Sequence, residues 1–173
     1  MAPLNPLHPQ GDRDLRMIAN RLSYALGRDA LVQQTTSHLR ESFQVDRVML
    51  YYFYRRWKGQ VTFESVGDPT LSLLGSSGPD QCFNDEYAAL YEAGRIKAIA
   101  DITTEPITSC HREFLQALGV RANLVAPILT ERGLWGLLIA HHCQSTRPWT
   151  DADIALIRAS AVTLTGASAL YGA

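Results

Sequence analysis

Two cysteines, Cys82 and Cys110, stand 28 positions apart, each among neighbours that suit thiol chemistry. Cys82 lies in Asp80-Gln81-Cys82-Phe83, with a carboxylate two residues ahead of the sulfur. Cys110 lies in Ser109-Cys110-His111-Arg112-Glu113-Phe114-Leu115, with an imidazole directly after it. The thiolate is the nucleophilic form of cysteine, and a nearby imidazole can take its proton or stabilise its charge. Such a thiol can add to an activated double bond and so fix a conjugated ligand covalently. A second thiol adding reversibly to the middle of that ligand would cut its conjugation and change its colour. Asp80 could accept N–H bonds from a ligand carrying positive charge, a charge that is costly to bury without such a partner.

Composition narrows the classes. A chain of 173 residues, 46% hydrophobic and 19% charged, fits one domain with a sizeable core. The net charge is -1 and the Lys and Arg are scattered, which argues against the basic face that nucleic-acid binding needs. The longest apolar run, Leu134–Ala140, is too short to span a bilayer, and no signal peptide opens the chain. Three cysteines without sign of secretion read as reduced cytoplasmic thiols. No metal site is expected: there is no Cys-x-x-Cys pair, and His141-His142-Cys143 lacks partners at zinc spacing. Cys143 reads as an inert small residue.

These groups need a frame. Met1–Gly11 is Pro-rich and reads as a disordered or linker N-terminus, followed by one domain over 12–170 and a tail over 171–173. Leu15, Ile18, Leu22 and Leu26 have helical spacing, with Gly27 as a stop. Asp29 caps a second helix that buries Leu31, Val32, Leu39 and Phe43. Asp46–Tyr54 and Val61–Val66 read as a hairpin around Trp57–Gln60. A long Gly- and Pro-containing loop, 67–80, follows. Next come a helix over Asn84–Ala93 closed by Gly94, a strand over Ile96–Ile102, a loop carrying Cys110, and a helix over Arg112–Leu118. Val120–Leu129 and Leu134–His142 are apolar on both faces and should be central strands. Thr150 caps a last helix running to about Leu170, with Asp153 completing a capping box. The result is an α+β layer architecture.

Five segments in this order resemble a GAF domain, and within that family the bilin-binding cyanobacteriochromes of the phytochrome superfamily. They are Asp46-Arg47-Val48, Tyr91-Glu92-Ala93-Gly94-Arg95-Ile96, Cys110-His111 with Leu115, Val120–Val125, and Leu134–His141. Asp80-x-Cys82-Phe83 resembles the signature of the dual-cysteine branch. The resemblance implies a central antiparallel sheet with N- and C-terminal helices on one face and a bilin pocket on the other. It also implies a photoreceptor module that switches by isomerisation at ring D, with no catalysis beyond autocatalytic attachment of its pigment. Cys110 would form the thioether to ring A, His111 would pack on the central rings, and His141 would lie near ring D. Asp80 would bind pyrrole nitrogens, Cys82 would add to the central bridge, Phe83 would line the site, and Arg95 and Arg121 would meet the propionates.

The expected cofactor is phycocyanobilin or its isomer phycoviolobilin, with a biliverdin-type pigment as the alternative. Expected partners are the covalent bilin, an output signalling domain such as a histidine kinase, and a second copy as a homodimer. Nucleic acid and membrane are not expected for this segment. Two other readings stay open: a GAF domain that binds a small ligand without sensing light, and a cysteine-based methionine sulfoxide reductase of GAF type.

Overall fold

The computed structural model describes residues 9–78 and 83–171. Asp80 and Cys82 therefore lie outside the described residues.

Helix α1 (Pro9–Gly27) starts earlier than the apolar stripe suggests. A proline at the first helical position lacks only an N–H that would have no partner there anyway, so Pro9 can open the helix. Its buried side is Ala19, Leu22 and Leu26, while Ile18 stays exposed. Helix α2 (Ala30–Phe43) is capped as its sequence predicts: Asp29 Oδ1 accepts from the backbone N–H of Leu31 and Val32. Strands β1 (Arg47–Arg55) and β2 (Lys58–Val66) form the hairpin, with Trp57 at a positive φ of 58° in the turn.

The loop after β2 is pinned rather than loose. Val61 donates to Ser76 O and Gly75 donates to Val61 O, each at 2.9 Å, and Gly78 donates to the Tyr51 hydroxyl at 2.8 Å. Helix α3 (Asp85–Glu92) is capped by Asn84, and Gly94 takes a φ of 92° just beyond it. Strand β3 is short (Lys97–Ile99).

One expectation is corrected at α4 (Ser109–Ala117): Cys110 is in a helix, not in a loop before one. Thr108 Oγ1 accepts from His111 N and caps the helix three residues earlier than the apolar pattern begins. Strands β4 (Ala122–Thr130) and β5 (Gly133–His142) form the second hairpin. Helix α5 (Asp151–Leu164) opens with the Thr150–Asp153 capping box but stops short of Leu170. Thr165 and Gly166 break it, and a 3₁₀ turn over Ser168–Leu170 follows. Leu170 O accepts there from the Trp135 indole.

The five strands form one sheet in the order β2-β1-β5-β4-β3, with every neighbouring pair antiparallel. The two strands that read as apolar on both faces, β4 and β5, lie inside the sheet. Alternation along each strand then makes two different faces. Val48, Leu50, Leu124, Ile128, Leu138 and Ala140 point to a core filled by α1, α2 and α5. Their neighbours in sequence point the other way.

Two glycines allow the hairpins to approach β1. A Cβ on Gly59 would sit 2.0 Å from Tyr52 O, and one on Gly136 would sit 2.0 Å from Tyr51 O. Both contacts are with backbone, which cannot move aside as a side-chain tip would.

Candidate functional site

The face away from the three helices carries a cleft, whose empty volume, open mouth included, is about 940 Å³. Its floor is the odd-numbered side chains of the sheet, among them Met49 and Tyr51 of β1, Val125 of β4, and Leu137 and Ile139 of β5. Helices α3 and α4 and the loop ending at Gly78 form the walls. The lining is mostly apolar with a few placed polar groups, the composition expected of a site for a large organic ligand.

The inner polar groups form a row across three strands. Arg47 on β1 pairs in register with His141 on β5, and His141 pairs with Asn123 on β4. All three are buried. Arg47 Nε donates to His141 Nδ1 at 3.0 Å. Its two terminal nitrogens donate to Leu71 O in the loop (3.0 Å) and to Leu118 O at the end of α4 (2.8 Å). Burial, helped by the Arg47 charge, holds His141 well below the ordinary imidazole range, so it is neutral. Asn123 Oδ1 is buried and has no hydrogen-bond partner among the described residues. An acceptor without a donor in a buried site is a place for a ligand donor.

The first turn of α4 carries Cys110 and brings the next residue, His111, to the cleft. His111 lines it, and its ring stands edge-on to Tyr87 of α3 at 6.1 Å. Burial first, then the charges of Lys97 and Arg95, lower the His111 pKa. Its Nδ1 is buried without a partner among the described residues. In this structure Cys110 is disulfide-bonded, which corrects the expectation of three reduced thiols, while Cys143 is free. Separation along the chain does not show which sulfurs can meet. Here Gly78 and Phe83, the residues flanking the undescribed segment, line the same cleft as His111.

Phe83 lies inside an aromatic cluster. It stacks on Tyr91 (6.0 Å between centroids, 11° between planes) and contacts Phe53, Trp57 and Tyr87. Burial pushes the Tyr91 phenol up to about 12. Arg95 lies over the rings of Tyr91 (5.1 Å) and Tyr87 (5.7 Å), and its Nε and Nη2 are buried without hydrogen-bond partners among the described residues. A cation with free donors beside the cleft fits a ligand carboxylate.

Arg121 goes elsewhere. It is not part of the cleft lining and bridges to Asp101 at 3.1 Å. Arg121 and the Thr103 hydroxyl and N–H hold the Asp101 carboxyl down at about 2.

Sequence reasoning assigned no role in a site to Arg47, Asn123, Tyr51, Tyr91 or Trp57. The signal for the first two was present: each is a strongly polar residue within an otherwise apolar strand. Polar groups at such positions are buried only when they are paired or bind something. The aromatic residues gave no such signal, because strands and cores use them freely.

Comparison with known proteins agrees with this geometry. Residues 27–167 match the GAF domain family. An uncharacterised protein of Picosynechococcus sp. is 46% identical over 90% of this chain and 95% of its own length. The circadian input-output histidine kinase CikA of Synechocystis sp. is 30% identical over 80% of this chain, which corresponds to only 22% of that kinase. Among solved structures, the cyanobacteriochrome receptor PixJ superposes with a TM-score of 0.74 and 33% identity, covering 84% of this chain and 95% of that one. The phycocyanobilin-bound GAF domain of a cyanobacterial phytochrome does so with a TM-score of 0.68 and 29% identity, covering 89% and 93%.

Proposed function

We propose, from the premise that this chain belongs to the GAF domain family, that it is a photoreceptor module holding a linear tetrapyrrole in the cleft through Cys110. The observation that carries this is the pairing of an apolar cleft with buried polar atoms that have no hydrogen-bond partner among the described residues. Arg95 Nε and Nη2, His111 Nδ1 and Asn123 Oδ1 suit a flat conjugated ligand with carboxylates, N–H donors and carbonyls. The similar solved structures, a cyanobacteriochrome and a phycocyanobilin-bound GAF domain, support it.

When bound, the pigment supplies visible absorption, isomerisation about its terminal methine bridge, and an electrophilic double bond. The chain's own residues do the rest. Cys110 attaches by addition: its sulfur bonds to one carbon of that double bond, a proton goes to the other, and nothing leaves. The disulfide must first be opened by a thiol reductant, which is oxidised as Cys110 is freed. His111 takes the thiol proton, its neutral ring being maintained by burial. Arg95 meets a propionate. Asp80 would accept pyrrole N–H bonds, Phe83 would line the site, and Cys82 would tune colour by reversible addition to the pigment. The relative that is a histidine kinase supports a signalling output domain beside this one in the parent protein.

The test is attachment. Reduced protein incubated with phycocyanobilin should hold colour through denaturation, and Cys110→Ala should hold none. Cys82→Ala should stay coloured but lose any violet or blue state. Covalent colour in Cys110→Ala contradicts the attachment site. Turnover of free methionine sulfoxide by colourless wild type favours the redox reading instead.

A further inference from the structure

The His141 ring has two nitrogens, and which of them carries the proton decides what the inner end of the cleft offers. An arginine guanidinium is always charged and can only donate. Arg47 Nε donates to Nδ1 of His141 at 3.0 Å, so Nδ1 must present its lone pair. A neutral imidazole accepting at Nδ1 carries its proton at Nε2. Arg47 cannot easily turn away, because its terminal nitrogens are held by Leu71 O and Leu118 O on two other elements. Nε2 makes no hydrogen bond among the described residues, and His141 lines the cleft.

We infer that Arg47 is a positioning residue that fixes His141 as the Nε2–H tautomer, so that His141 presents an N–H donor and not an acceptor to the cleft. The tautomer follows from the protein alone and does not rest on the proposed function.

Charged and titratable groups near the pair are Asp46 beside Arg47 in sequence, Glu64 on β2, and Cys143 just after β5. Glu64 is engaged by Ser72 and Leu73 N, and Asp46 accepts from Cys143 N and Gln144. Neither carboxylate is hydrogen-bonded to His141.

The experiment is long-range ¹H–¹⁵N NMR of histidine side chains in pigment-free, uniformly labelled protein. Wild type should show His141 as one tautomer, protonated at Nε2, unchanged between about pH 5 and pH 8. A coupling across the hydrogen bond should link Arg47 Nε–H to His141 Nδ1. Arg47→Met should lose the single-tautomer signature, and Arg47→Lys, which restores a donor, should recover it. If the variants do not fold, the wild-type spectrum still decides. An Nδ1–H tautomer, an imidazolium at neutral pH, or absence of the cross-bond coupling overturns the inference. The same sample tested for phycocyanobilin uptake reports on the proposed function separately.

Discussion

The two faces of one sheet are built to opposite rules. On the helix side, Leu50, Leu124, Ile128 and Leu138 are fully buried against α1, α2 and α5. On the cleft side, one residue along each strand, the same backbone presents Tyr51, Asn123, Val125, Leu137 and His141 around open space, with Arg47 buried behind His141. The first face is complete as a folded core. The second has polar atoms without a hydrogen-bond partner among the described residues. The difference teaches where the ligand belongs, since a fold tolerates unpartnered buried groups only where something else meets them.

Adjacent leucines on β5 give the sharpest way to break this comparison. Leu138→Ala on the helix face should destabilise the pigment-free domain by about 2–5 kcal/mol, because it leaves a cavity in a filled core. Leu137→Ala should cost less, because its surroundings are already open on one side. Denaturant melts of both variants measure the gap, and equal losses would mean that the cleft face is packed as tightly as the core. Gly136→Ala should follow in size, at about 1–3 kcal/mol, since the new methyl meets Tyr51 O. Its effect should fall on both faces, seen as lower stability together with weaker pigment uptake.

Acid should act mainly through the cleft face. His141 and His111 have folded pKa values below the ordinary imidazole value, so the unfolded chain binds the extra protons. Their contribution is full above about pH 6.5 and is lost as the pH falls below it. The thermal midpoint of pigment-free protein should therefore drop from about pH 7.5 to about pH 5, and drop less in His141→Gln. The smallest change expected is Thr150→Ala, about 1 kcal/mol from the lost α5 cap, with pigment binding unchanged.

Much of the frame was legible in the sequence. Period-two and helical patterns gave the order of elements, and Asp29 and Thr150 marked two helix starts because a capping oxygen is a local signal. The start of α4 was misplaced because Cys110 and His111 do not extend an apolar stripe, and the Thr108 cap was overlooked. The anchors of the long loop, the Val61 backbone and the Tyr51 hydroxyl, are partners distant in sequence and invisible to local patterns. Likewise Arg121 and Arg95 look alike as sequence. Only the fold sends one to Asp101 and leaves the other beside the cleft. The row from Arg47 to Asn123 exists only in the strand register.

The measurement that tests the central claim most directly is the light-minus-dark absorption spectrum of protein made in phycocyanobilin-producing cells and purified under reducing conditions. The account predicts a bound visible band that illumination converts to a second band and a second colour of light reverses. A colourless protein, or a band that light does not change, would contradict it.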